Sequence, residues 1–320
     1  MAMAIAFDEA KKNQRRINAN PRIGTTGGGA STNFFGTRDT PGLPHAALSQ
    51  LDPGRVSYPH FHKVDQFQVM IEGKGKMGRH DLAAYSVHFS RAYTPYGPFI
   101  SDAATGLTCF ILHANTQPDW DASHLPQERE KLKQVLNRQP WQVTSQATFP
   151  AFQSGKAAAD IMLQAIPGMK DEYGLAGYTL SMKPNARVKA PDPSQGEGQY
   201  LAVVKGSVLH NDREHTAPAL VFVYPHENPL EVHAGGNGLE ALILNFPQSK
   251  SRAPDSKLPS TAPGFKKWQC ALCSFSYDEA LGMPGEGIPA GTRWQDVPGN
   301  WTCPDCGTSK AEFQMIELTN

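Results

Sequence analysis

Two Cys-x-x-Cys pairs, Cys270-Ala-Leu-Cys273 and Cys303-Pro-Asp-Cys306, stand in the last fifty or so residues of the chain. Four thiolates from two tight knuckles form a closed tetrahedral sulfur site for iron or zinc. Such a site leaves no open coordination position, so it moves electrons or holds structure and does not bind substrate. It demands a small module folded around it, and Trp268, Tyr277, Trp301 and Phe313 supply that module with an aromatic core. A structural zinc ribbon accounts for the cysteines alone. It leaves the aromatic residues unexplained.

From Trp268 to Phe313, including Gly287-Ile-Pro-Ala-Gly291-Thr292 and Lys310, the pattern resembles rubredoxin over nearly its entire length. The resemblance implies an iron held by Cys270, Cys273, Cys303 and Cys306, with zinc as the alternative metal. Ser274 departs from the family, which usually has Gly after the first pair, and a non-Gly residue there alters the first knuckle if a left-handed backbone angle is needed.

The chain has 320 residues, enough for two or three domains, and 30 Lys plus Arg against 30 Asp plus Glu. With no basic block, a nucleic-acid or anionic-membrane surface is not expected. The opening apolar stretch is too short for a signal peptide, and no apolar run is long enough to cross a bilayer, so a cytoplasmic protein is expected. Four of the five cysteines lie in the metal module, which fits a reducing compartment. Cys109, within Leu107-Thr-Cys-Phe-Ile-Leu112, reads as a small buried strand residue.

Upstream, short apolar runs alternate with Gly and Pro punctuation, the text of a sandwich or barrel of short strands. Residues 1–45 read as an N-terminal arm with a short helix at 7–16 and a glycine run, Gly27-Gly-Gly29, that lacks the ending of a phosphate loop. Residues 46–120 read as a first barrel, 121–170 as connecting helices (126–137 and 157–166), 171–248 as a second barrel, 249–264 as a linker and 265–320 as the metal module. An internal repeat supports the two barrels: Gln66-Phe67-Gln-Val-Met-Ile-Glu-Gly73 matches Gln199-Tyr200-Leu-Ala-Val-Val-Lys-Gly206. The expected fold class is therefore mainly β, with two barrels in tandem followed by a small iron-sulfur domain.

Gly54-x5-His60-Phe-His62-x3-Gln66-x6-Gly73 resembles the first motif of the cupins at every position but one, Gln66 standing where that family has Glu. His-x-His on a strand puts both imidazoles on one face, able to chelate one divalent metal. The second cupin motif is half present: Pro95-Tyr-Gly97 is there, but Ile100 occupies its His position. His88 and His113 are the substitutes the sequence offers, and Gln66 is a weak ligand or a partner of one. In the second copy the histidine positions become Pro193 and Gln195, so that barrel should bind no metal. His210, His215, His226 and His233 read as surface residues.

The resemblance as a whole is to a bicupin carrying a rubredoxin, and it implies a non-heme iron oxygenase or dioxygenase with a second iron, Fe(II), in the first barrel. The bacterial 3-hydroxyanthranilate dioxygenases pair a cupin with a C-terminal rubredoxin-like site in a similar way, but retain the Glu and later His missing here. Expected partners are O2, a small aromatic or carboxylated substrate, a rubredoxin reductase and a second copy in a homodimer. Arg55, Arg79 and Arg91 are candidate carboxylate clamps, and Tyr93, Tyr96 and Phe99 candidate pocket walls. With His88, residues Arg91, Tyr93 and Tyr96 form the expected catalytic set. The rival is a non-enzymatic redox or iron sensor whose cupin site has decayed.

Overall fold

The computed structural model describes residues 2–316 except 21–23, 38–39, 117–121, 126, 136–137, 153–158, 249–263 and 274. Two curled antiparallel sheets dominate. In the first, Gln66–Met77 is central, pairing with Leu107–His113 on one side and Ser86–Ser90 on the other; His45–Leu51, Gly29–Phe35 and Gln14–Ile17 continue beyond Leu107–His113. In the second, Gly198–His210 is central between Ala219–Val223 and Glu231–Phe246, with Ala176–Met182 and Ile161–Lys170 beyond. The internal repeat survives as register. Phe67 lies opposite Phe89 and Leu112, and Tyr200 opposite Phe222 and Leu244.

Strand alternation then decides what each barrel shows its neighbour. Phe67, Val69, Tyr200 and Ala202 enter one apolar core shared by the two barrels. Gln66, Gln68 and Met70, the alternate residues, point into the first barrel and are also buried. Each large side chain in the shared core contributes roughly 1.5–3 kcal/mol. Tyr200, a second-barrel residue, donates its hydroxyl to the carbonyls of His45 and His113 at 3.1 and 3.0 Å, which fixes the strand ends of the first barrel.

Several expectations from sequence require correction. Residues 1–45 are not an arm: Met3–Ala6 is an edge strand of the second barrel, paired with Ala219–Val223, while Gln14–Ile17 and Gly29–Phe35 complete the first. The helix at 7–16 is limited to Phe7–Ala10 and one 3₁₀ turn before a strand begins at Gln14. Between the barrels only Arg129–Gln134 is α-helical among the described residues. Gln142–Gln146 adds a strand to the first barrel, and the helix expected at 157–166 is replaced from Ile161 onward by a strand. His215 is buried, not superficial. The linker 249–264 and Ser274 lie outside the described residues, apart from Gly264. No described helix is long and apolar enough to cross a membrane.

The C-terminal module is a three-stranded sheet, Ser276–Asp278, Lys267–Cys270 and Phe313–Ile316, around Phe275, Tyr277, Trp294, Trp301 and Phe313. Glu279 ties it together. Its carboxylate accepts from Trp268 Nε1 (2.9 Å), Trp294 N (2.9 Å), Lys266 N (3.0 Å) and Arg293 Nη1 (3.0 Å). Burial alone would push this carboxyl up, but the four donors outweigh burial and hold it down at about 2 from 4.5. Its stabilising contribution is therefore complete above about pH 4.5 and lost as pH falls through about 2. Glu279→Gln is expected to cost on the order of 3 kcal/mol near neutral pH and to remove that acid limb. Denaturant unfolding of the module at a series of pH values measures both.

Candidate metal centres

The four cysteines converge with all sulfurs within 4.8 Å of one another and all four residues buried. Cys270 and Cys306 Sγ are 3.6 Å apart, and Cys273 and Cys303 Sγ 3.5 Å. A tetrahedral centre with metal–sulfur bonds of about 2.3 Å puts sulfurs about 3.8 Å apart, so the cage fits iron or zinc with little adjustment. Leu272 N–H donates to Cys270 Sγ at 3.4 Å, stabilising its thiolate. Gly307, at φ +70°, closes the second knuckle through its N–H to Cys303 O at 2.7 Å.

This module sits directly on the first barrel. Phe61, Leu125 and Leu132 of the barrel and its crossover belong to the same buried cluster as the cysteines, Leu272 and Phe275. Arg79 Nε reaches Asp305 Oδ1 at 3.2 Å, and Glu312 accepts from Arg129 at 3.0 Å and from Lys133 at 2.9 Å. Gly78 is required at the contact: a Cβ there would lie 2.6 Å from Pro304 O, with φ at +53°. Arg138 donates to Ala271 O and Leu272 O, inside the first knuckle, at 2.8 and 2.9 Å, and to Tyr93 O at 3.3 Å. Tyr93 holds φ +59°, costly for a bulky residue, and its N–H is fixed to His62 O at 2.7 Å.

On the other side of Phe61 lie the histidines. The His60 and His62 rings are 5.6 Å apart, those of His62 and His113 5.7 Å. His60 Nδ1 is 2.8 Å from Tyr58 O, and a carbonyl can only accept, so Nδ1 carries the proton and Nε2 keeps its lone pair for a ligand bond. His113 differs. Gln66 donates through Nε2 to Tyr96 Oη at 2.6 Å and meets His113 Nε2 at 3.0 Å through Oε1, while His113 Nδ1 lies 3.2 Å from His45 Nδ1. Both nitrogens of His113 and both ends of Gln66 are thus engaged with each other and their neighbours, so neither presents a free ligand atom beside His60 and His62. Among the described residues, the cysteine cage is the one group of three or more His, Cys, Asp or Glu ligand atoms lying within 4.8 Å of one another.

The remaining expected residues separate by task. His88 lies inside the barrel with its ring 5.1 Å from Tyr96; Nδ1 meets Thr144 Oγ1 at 2.9 Å, and burial lowers its pKa to about 3. Its Nε2 and the Oε1 of Gln68, directly across the strand pair, are both buried without a hydrogen-bond partner. Burial also pushes the Tyr96 hydroxyl up, so it stays neutral while accepting from Gln66 Nε2. Phe99 packs in the barrel core with Cys109, whose thiol burial pushes up to about 12. Tyr93 faces the cysteine module and not a pocket. The arginine clamps are corrected: Arg55 donates to Gly27 O, Arg79 pairs with Asp305, and Arg91 pairs with Asp171 while stacking on Trp141.

Sequence reasoning missed three groups. His124, whose ring is 5.1 Å from His60, arrives on Ser123–His124, a two-residue strand opposite His60–Phe61. His45 backs His113. Arg15, from the supposed arm, lines with Asn33, Ser49, Ile111 and His45 a cleft of about 520 Å³.

Two antiparallel β-barrels in tandem, followed by a closed four-cysteine module, define the architecture of this chain. The rubredoxin family model matches residues 267–313. Rubredoxin-2 of Pseudomonas aeruginosa is 66% identical over 53 residues, spanning 96% of that protein and 17% of this chain. Rubredoxin-2 of Ectopseudomonas oleovorans is 35% identical over 106 residues, 61% of that protein and 29% of this chain. The chain belongs to the rubredoxin family through its C-terminal module. The solved structure described as a glyoxylate induced protein from Pseudomonas aeruginosa is similar to the barrels, with TM-score 0.51 and 12% identity over 79% of this chain and 90% of that one, a likeness of fold.

Proposed function

We propose that the chain is a non-heme iron oxygenase in which the first barrel carries the reaction and the docked rubredoxin serves it as a one-electron donor. One observation carries this reading. Phe61 stands between His60, with which it forms the short strand His60–Phe61, and His62 just beyond it, and Phe61 is buried in the same cluster as the four cysteines. His60 through Nε2, with His62, would hold a ferrous ion. Iron held by so few protein ligands keeps open positions for O2.

The substrate's place is the cleft at His45. Its volume suits a small molecule, and Arg15 offers a cation for a carboxylate there, with Asn33 and Ser49 as neutral hydrogen-bonding groups. Behind its inner wall, His113 and Gln66 hold Tyr96 in one orientation against the His60 ring, 4.6 Å away. The unpartnered His88 Nε2 and Gln68 Oε1 give the barrel interior further polar capacity for a bound oxygen-bearing group.

A second reading, a redox or iron sensor, is favoured by the closed chain from Tyr96 through Gln66 to His113 and His45. Metal analysis separates the two. The oxygenase is expected to hold two irons per chain, falling to one in His60→Ala or His62→Ala with loss of all turnover and full retention of the rubredoxin colour. Pro193→Ala and Gln195→Ala should change nothing. One iron in the wild-type chain would favour the sensor, and unchanged iron in both histidine variants would remove the metal from this site.

A further inference from the structure

We infer that Arg138 sets the reduction potential of the four-cysteine centre from outside the rubredoxin module, so that docking on the first barrel tunes the centre as well as holding it. The inference deepens the reading above by naming how the barrel regulates its donor, yet its readout is the cysteine centre alone. It can fail while the barrel iron is present, or succeed while that iron is absent.

Arg138 follows the short helix Arg129–Gln134 on the crossover between the barrels. Its guanidinium grips both residues enclosed by Cys270 and Cys273, Ala271 and Leu272, by their carbonyls, and a third carbonyl, Tyr93 O, from the barrel. That fork geometry is one a guanidinium supplies and an ammonium does not. Among the described residues no carboxylate stands within ion-pair distance of Arg138: Glu312, the nearby acid, is taken by Arg129 and Lys133. A half-buried cation with only neutral acceptors is costly unless negative charge lies close. The cysteines are that charge. Burial lowers the Arg138 pKa, and Cys270 and then Cys273 oppose the shift.

The sign follows from charge counting. Ferric iron with four thiolates carries one net negative charge, and one added electron makes it two. Leu272 and Leu132 are fully buried at this contact, and Phe61 nearly so. Exclusion of water disfavours the more negative reduced state, and a cation fixed against the knuckle favours it. Arg138 therefore raises the potential, opposing the effect of the apolar contact on which it sits.

The test is a redox titration of the full-length protein, following the thiolate-to-iron absorption. Arg138→Gln should move the ratio of oxidised to reduced centre at fixed potential about tenfold toward oxidised, a midpoint about 59 mV lower for a one-electron couple. Arg138→Lys should keep most of the wild-type midpoint because the charge remains. Arg138→Met, which keeps the apolar stem, should fall as Arg138→Gln does, and serves where the Gln variant loses iron. Lys131→Gln, with its ammonium in solvent, should leave the midpoint unchanged. A wild-type midpoint in both neutral variants overturns the inference. A Lys midpoint as low as that of Gln also overturns it, since the role would then be the clamp and not the charge.

Discussion

Cys303→Ser is expected to abolish the red colour and the tightly held iron of the C-terminal module. The serine hydroxyl does not ionise near neutral pH, so three thiolates would face a metal whose cage is built for four sulfurs. The loss is local in chemistry, yet its mechanical effect reaches further. Cys303 N–H is bonded to Thr308 O at 2.6 Å and its carbonyl accepts from Gly307 at 2.7 Å, so the second knuckle is shaped around this residue. Thr308 in turn accepts from Arg129 at 2.9 Å, across the contact with the barrel crossover. Loosening the knuckle should therefore lower the unfolding temperature of the first barrel as well as bleach the module. Cys109→Ser, in the barrel core, should leave the colour intact. Iron content, visible absorbance and a melting curve of both variants decide this, and a colourless wild-type chain holding one zinc would refute iron in the cage.

What could be read from the sequence is what depends on short spacing. Two residues between cysteines fix a knuckle whatever the rest of the chain does, and the cage closes as the two pairs imply. The barrel repeat was legible for a related reason: Gln, aromatic and Gly at one spacing occupy equivalent central strands, and Phe67 and Tyr200 do share one core. The failures are long-range. Gln14–Ile17 is exposed over three of its four residues and shows no two-residue alternation, because it is an edge strand defined by its partner Gly29–Phe35. Ile161–Lys170 contains helix formers such as Leu163 and Ala165, but pairing with Ala176–Met182 overrides that preference. His45 and His124 lie outside any motif, and only the fold carries them to His113 and His60. A charge such as Arg138 looks solvated in the sequence. Its two acceptors in the cysteine knuckle are more than 130 residues away.

Removing residues 265–320 is expected to damage the barrels as well as end electron supply, which changes how a truncation must be read. Were the module carried on a tether alone, the truncated chain would stay folded, and any loss of turnover would measure the missing electrons. The contact makes the two effects inseparable in that experiment. Phe61, Leu125 and Leu132 would lose their cover, at a cost on the order of 5 kcal/mol for three large side chains, comparable with the whole stability of a marginal domain. Arg138 and Arg129 would lose acceptors as well. The truncated chain should therefore aggregate or melt well below the full chain, which light scattering and calorimetry would show. If instead it melts with the full-length barrels, the contact adds no stability to them. Electron supply is then better tested with the module in place, by comparing turnover in the intact chain and in Cys303→Ser at a temperature where both remain folded. Equal steady-state turnover in the two, without any added reductant, would remove the rubredoxin from the reaction and leave it a structural role.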